Sequence, residues 1–109
     1  MEHRVLILKA EFPELTREIV EFLERTGRTD LANTVPELHI VDRCRCGDSF
    51  CSTLYTQHHN GRRPGAECET LEIAPESGMI MLHIADNHIT EIEVLFRGEM
   101  RQRLLSMLP

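Results

Sequence analysis

The stretch GMIMLHIADNHITEIEVLF, residues 78–96, carries the clearest fold signal in the chain. Aliphatic side chains recur at every second position, at 80, 82 and 84 in its first half and at 92 and 94 in its second, as they do in strands that bury one face. Asp86 and Asn87, residue types common in turns, separate the two halves. The pattern therefore predicts an antiparallel β-hairpin.

The register of this hairpin follows from its apolar residues, because a one-residue slip would exchange the two faces. A two-residue loop would pair Leu82 with Glu91, which mixes an apolar and a charged side chain. A three-residue loop at 86–88 pairs Leu82 with Ile92 and places His83 opposite Glu91. We therefore expect the three-residue loop.

Strand-like segments continue towards the N-terminus of the hairpin, each bounded by Gly, Asp, Asn or Pro. A weaker candidate strand, RVLILKA, lies at residues 4–10. The consecutive candidates predict an antiparallel meander of about five strands. They span residues 38–44, 51–57, 68–74, 79–85 and 89–96.

Helical periodicity is found on both sides of the strands. In PELTREIVEFLERTG, residues 13–27, apolar side chains recur at helical spacing between a proline and a glycine, and GEMRQRLLSMLP at 98–109 shows a second apolar stripe. The element order predicts one α+β domain spanning residues 1–109. Its N-terminal and C-terminal helices are expected to pack on one face of the sheet.

Charge and hydropathy narrow the classes of partner. Twelve basic and eighteen acidic residues give a net charge of −6, which opposes binding to nucleic-acid phosphates. No segment is apolar enough to predict a membrane span or a secretory signal. We expect a cytoplasmic protein whose thiols are reduced.

Three of the four cysteines lie within VDRCRCGDSFCSTLYT, residues 41–56. A hairpin with its loop at 47–50 would place Cys46 opposite Cys51 and Cys44 opposite Thr53, so that all three thiols share a face. The simplest interpretation is that they pack as small apolar side chains beneath helix 13–26 or the C-terminal helix.

A metal site is the second interpretation. Cys44, Cys46 and Cys51 would bind zinc or iron with Cys68 or His58 as the fourth ligand. The spacing contains only one turn of the kind that usually holds zinc, so the pattern is incomplete.

A reactive thiol is the third interpretation. Cys51 or Cys46 would act as the nucleophile, with His58 or His59 as a nearby base. The sequence contains no phosphate-cradling glycine loop, nucleophile elbow or paired-histidine helix that would complete an active site. Enzymatic activity is therefore not indicated.

The residues at 41–56 and 78–96 together resemble a group of small bacterial proteins to which no activity has been assigned. The resemblance implies a bacterial cytosolic protein and assigns no role to any residue. The leading expectation is a non-catalytic domain that acts through contacts with an unknown protein partner. A homodimer formed through the open sheet face or an edge strand is also expected.

Overall fold

The computed structural model describes residues 5–57 and 68–109. The chain divides into two compact units, Met1–Ile40 and Val41–Pro109. The expected single domain stays a prediction, and each unit is described separately.

The first unit is helical. Helix α2 (Pro13–Arg25) confirms the amphipathic pattern, since Leu15, Ile19 and Leu23 are buried and Pro13 occupies its first turn. The helices of this unit are α1 (Leu8–Glu11), α2 (Pro13–Arg25), α3 (Thr29–Ala32) and a 3-10 helix (Val35–Glu37).

The strand expected at residues 4–10 is wrong for most of its length. Ile7 forms a single bridge with His39, and helix α1 begins at Leu8. His39 belongs to the strand expected at 38–44. Of that segment, only residues 42–43 join the sheet. An apolar run of four residues fits a strand or a helix equally well, so its secondary structure depends on the segments that pack against it.

The second unit confirms the α+β class with a five-stranded antiparallel sheet and a helix after its last strand. The elements are β1 (Asp42–Arg43), β2 (Leu54–Tyr55), β3 (Cys68–Ile73), β4 (Met79–Ala85), β5 (His88–Leu95) and α4 (Gly98–Met107). The strands lie in the order β1-β2-β5-β4-β3, so β2 is adjacent to β5 and the meander is confined to β3, β4 and β5.

The register of the β4–β5 hairpin is the predicted one, with Leu82 opposite Ile92 and His83 opposite Glu91. Its loop is shorter than expected. Ala85 pairs with His88, which leaves a two-residue turn.

Both turn residues, Asp86 and Asn87, have positive φ angles, of 50° and 63°. This geometry matches the two-residue turn that best suits the twist of a hairpin. The apolar register is restored by a bulge, because the pairs His83–Glu91 and Ile84–Ile89 leave one extra residue in β5.

The two faces of the sheet differ in burial. One face carries fully buried aliphatic side chains, including Leu54, Leu82 and Ile92. On the other face, strand pairing aligns a row of polar side chains, one from each strand. This row consists of Asp42, Tyr55, Glu91, His83 and Thr70.

Gly47 and Gly78 both have positive φ angles, but they differ in the space available for a side chain. A Cβ atom on Gly78 (φ 76°) would lie 2.5 Å from the carbonyl oxygen of Leu95, whereas a Cβ on Gly47 (φ 83°) would have no neighbour within 4 Å. We expect Gly47→Ala to lower the free energy of unfolding by about 1 kcal/mol, because only the left-handed backbone is penalised. Gly78→Ala should cost at least about twice as much. Urea denaturation without added metal measures both, and equal losses would contradict the clash at Gly78.

Candidate metal centre

Three thiols converge at the end of the β1–β2 hairpin. The sulfur atoms of Cys44, Cys46 and Cys51, here called the cysteine triad, all lie within 4.8 Å of one another. The N–H of Cys44 donates to the carbonyl oxygen of Thr53 at 2.9 Å, and that of Cys51 donates to the carbonyl oxygen of Asp48 at 3.2 Å. Backbone hydrogen bonds thus fix two of the three positions.

The loop differs from the predicted four-residue connection. Cys46 belongs to no strand, and Cys51 forms its bridge with Leu95 of β5. The predicted direct pairing of Cys46 with Cys51 is therefore wrong, although the predicted proximity of the three thiols is confirmed. The reason is that the N–H of Cys51 donates to the carbonyl oxygen of Asp48 inside the loop, so it does not form a strand hydrogen bond with Cys46. On the other edge of this segment, the N–H of Ser52 donates to the carbonyl oxygen of Val94.

Burial does not fit the packing interpretation. Cys46 is exposed, and Cys44 and Cys51 are only half-buried. Because a thiol gains hydrophobic stabilisation only from the area removed from water, apolar packing does not explain why Cys46 lies with the other two. No disulfide bond joins any of the four cysteines, all of which lie within the described residues.

Cys68, one of the expected fourth ligands, is not brought to the triad. Cys68 begins β3 and pairs with Ala85, at the opposite end of β4 from Met79, which pairs with Leu95. Six residues along a strand correspond to about 20 Å, and β3 is also the far edge of the sheet from β1. Cys68 therefore cannot complete the same site within this fold. His58 and His59 lie outside the described residues.

A pocket of about 240 Å³ adjoins the triad, and all three cysteines line it. Three arginines also line the pocket: Arg43 and Arg45 from the hairpin, and Arg101 from α4. Leu104 and Leu105 of α4 add an apolar wall. Asp48 also lines the pocket, so three arginines face one acidic residue next to the thiols, in a chain whose net charge is −6. Sequence reasoning missed Arg101, because nothing in the pattern places α4 beside residues 44–51.

Arg45 is paired with a carboxylate, whereas Arg43 and Arg101 form hydrogen bonds with carbonyl oxygens. Arg45 pairs with the carboxylate of Asp42 at 3.0 Å. Arg43 donates to the carbonyl oxygens of Leu108 and Cys44. Arg101 donates to the carbonyl oxygen of Asp48 at 3.2 Å.

Among residues 5–57 and 68–109, neither Arg43 nor Arg101 forms an ion pair with a carboxylate. Each uses only part of its set of five N–H donors on the carbonyl oxygens. Both guanidinium groups can therefore still compensate negative charge in the pocket.

The thiols of the triad differ in acidity. Burial alone would raise the pKa of Cys51, but hydrogen bonds from the hydroxyl and backbone of Thr53, and from the neighbouring thiols, lower it below its usual value. The Thr53 hydroxyl lies 3.3 Å from the Cys51 sulfur. A hydrogen bond at the Asp48 backbone favours the Cys46 thiolate, but the thiols of Cys44 and Cys51 outweigh it and raise the pKa of Cys46 to about 11. The thiol of Cys51 is therefore more acidic than that of Cys46.

Tyr55 connects the triad to the polar row on the same sheet face. Burial, followed by its hydrogen bond to Cys44, raises the pKa of Tyr55 to about 12. The phenol therefore keeps its proton at neutral pH and can donate a hydrogen bond to a thiolate.

A second group of side chains that could bind a metal lies further along this face. Nε2 of His83 is 3.0 Å from Oε1 of Glu93 and 3.8 Å from Oε2 of Glu91, and its Nδ1 is 3.2 Å from the hydroxyl of Thr70. The register predicted only the His83–Glu91 pair. Glu93 reaches the histidine diagonally, which its spacing of two residues from Glu91 could have suggested.

No protein-family model matches the chain, and neither the search of curated proteins nor that of solved structures finds a match. The resemblance noted at residues 41–56 and 78–96 stays a prediction. Within the described residues, no helix has the length and apolar character needed to cross a membrane.

The acidity of Cys51 can be tested by replacing Thr53 with valine. Loss of the hydroxyl removes a group that stabilises the thiolate, so the pKa of Cys51 should rise and less thiolate should be present at pH 7. We expect iodoacetamide to modify Cys51 about two- to fivefold more slowly. The decrease is moderate because a thiolate with a higher pKa is more nucleophilic, which offsets part of the loss of thiolate. Tandem mass spectrometry of the modified peptides gives the rate at each cysteine.

Thr70→Val is the matched control, because it removes a strand hydroxyl from β3 without touching the triad. It should leave the rate at Cys51 unchanged. An unchanged rate in Thr53→Val would contradict the role of the hydroxyl.

Proposed function

We propose that the protein is a non-catalytic metal-binding module in which Cys44, Cys46 and Cys51 hold a thiophilic ion, with zinc as the preferred metal. The observation that carries this proposal is the convergence of three sulfur atoms within 4.8 Å. Thiolates are soft ligands that select zinc, Cu(I) and iron–sulfur clusters over magnesium or calcium.

The geometry requires only a small adjustment for zinc. A Zn–S bond is about 2.3 Å long, so two sulfurs of a tetrahedral site are about 3.8 Å apart. Sulfurs that already lie within 4.8 Å must approach by no more than about 1 Å. Cys46 is exposed, and a Cβ atom added to the neighbouring Gly47 would have no neighbour within 4 Å, so no packed side chain blocks this shift.

Charge also supports a thiolate site. Three thiolates held close together repel one another, and the guanidinium groups of Arg43, Arg45 and Arg101 offset part of that repulsion. Iron–sulfur clusters are less favoured, because they are held by four cysteines and the fold places Cys68 at the far edge of the sheet.

Zinc binding is tested on the full chain with each triad cysteine changed to serine. We expect the wild type to bind one equivalent of zinc and each variant to bind it more than about a hundredfold more weakly, since losing a residue that merely orients a ligand already costs about 10- to 100-fold. Competition with a chromophoric chelator measures the affinity. At a zinc concentration 100 times the dissociation constant, the free energy of unfolding should rise by about 2.7 kcal/mol.

Cys68→Ser is the matched control, because it removes a cysteine that lies away from the triad. It should bind zinc like the wild type. The proposal fails if the wild type does not bind zinc, or if Cys68→Ser weakens binding as much as the triad variants do.

We also propose protein contact as a second function, in the form of a homodimer. Phe50 and Phe96 are 42% and 59% exposed, and their rings stack with centroids 5.4 Å apart. The N–H of Phe96 donates to the carbonyl oxygen of Phe50 at 2.8 Å, which fixes the pair next to the cysteine loop. Exposed aromatic pairs are frequent anchors of protein interfaces.

Phe96→Asn tests the homodimer without straining the fold. Phe96 has a φ of 63°, a conformation that asparagine adopts more readily than phenylalanine does. We expect the wild type to dimerise at high concentration in light scattering and the variant to be monomeric with an unchanged urea midpoint. A wild type that stays monomeric at the highest concentration would end this second proposal.

A further inference from the structure

We propose that a metal ion held by the cysteine triad takes its fourth ligand from solution, and that this ligand is a small thiol that also carries a carboxylate. The inference rests on the proposed metal-binding function. It goes further by naming the chemical class of the molecule that completes the site.

The first step concerns the number of protein ligands. Within the part of the chain that the structure describes, the group of candidate ligands at this site contains three residues, all cysteines. Zinc is almost always four-coordinate, and a site with three protein ligands leaves one position for water or a bound molecule. The pocket that adjoins all three cysteines provides access to that position.

The second step concerns charge. The pocket contains Arg43 and Arg101, whose hydrogen bonds within the described residues go to carbonyl oxygens. A guanidinium group matches a carboxylate in shape and charge, and it can donate two parallel hydrogen bonds. The net charge of −6 repels anions from the chain as a whole, whereas the arginines make this pocket locally favourable for an anion.

The third step concerns size and softness. A volume of about 240 Å³ admits a molecule of a few carbon atoms, and Leu104 and Leu105 provide an apolar surface for its methylene groups. Three sulfur ligands favour a soft fourth ligand, and a thiolate completes the sulfur-only coordination that is common for zinc. The arginines then offset the negative charge of four thiolates around one divalent ion.

Binding of the thiol is a ligand exchange. The thiol loses its proton to the solvent, its sulfur forms a bond to the metal, and the bond between the metal and its water breaks. No electron is transferred, so no oxidant or reductant is needed.

The experiment uses the full chain loaded with Co²⁺, whose visible spectrum reports the number of sulfur ligands and the tetrahedral geometry. The protein is titrated with mercaptoacetate, with the neutral thiol 2-mercaptoethanol and with acetate, which has no thiol. We expect both thiols to increase the sulfur-to-cobalt absorption, with a dissociation constant for mercaptoacetate at least about tenfold lower. Acetate should not increase it.

Arg101→Gln tests the source of this preference. It should raise the dissociation constant for mercaptoacetate about fivefold more than that for 2-mercaptoethanol, because both thiols lose a nearby positive charge and the Asp48 hydrogen bond that helps to hold the loop, whereas only mercaptoacetate loses a carboxylate contact. Arg103→Gln removes the same charge from the same helix at an exposed position outside the pocket. This control should bind both thiols like the wild type.

The failures of the two proposals are distinguishable. If cobalt binds but its spectrum does not respond to either thiol, the protein itself supplies the fourth ligand and this inference is overturned, while the metal-binding function stands. Equal dissociation constants for the two thiols would overturn the selection for an anion. If cobalt does not bind at all, the metal-binding proposal fails together with this inference.

Discussion

The pairing of β5 with both β4 and β2 is the constraint on which the second unit depends. Leu82, Ile92 and Leu54 form one continuous row across these three strands, and all three side chains are fully buried. A one-residue slip of β5 would move its apolar side chains to the opposite face and expose them. The same register fixes where the β1–β2 hairpin lies, and thereby fixes the position of the cysteine triad.

The bulge in β5 shows how two local preferences are both met. Asp86 and Asn87 favour a two-residue turn, while the apolar pattern requires a register that this turn alone would not give. Thr90 is the extra residue. Its hydroxyl donates to the carbonyl oxygen of His83, and its own carbonyl oxygen accepts the N–H of Thr56, so the bulge leaves these groups hydrogen-bonded.

The sequence predicted the register within a hairpin, but it did not predict the strand order or the packing of distant segments. The β4–β5 register follows from a period of two, which is a local property. The closeness of Cys44, Cys46 and Cys51 was expected from the same period, but the structure produces it through a loop in which Cys46 lies outside any strand. The strand order does not follow from a period of two, because β2 could pair with β3 or with β5 at similar local cost. The arginine from α4 and the exposure of Cys46 depend on how distant segments pack, so no spacing in the sequence encodes them.

The loop that carries the cysteine triad is already ordered without a metal, which lowers the entropic cost of metal binding. Bringing three thiols together in a flexible loop would require ordering the backbone at the moment of metal binding, at a cost of about 1–2 kcal/mol per residue. Here much of that order exists beforehand, since the carbonyl oxygen of Asp48 accepts hydrogen bonds from both the Cys51 N–H and Arg101. Gly47 takes the left-handed conformation that the chain needs between Cys46 and the turn. The loop is therefore held by interactions of its backbone and by α4, which leaves the sulfur atoms themselves available for a ligand.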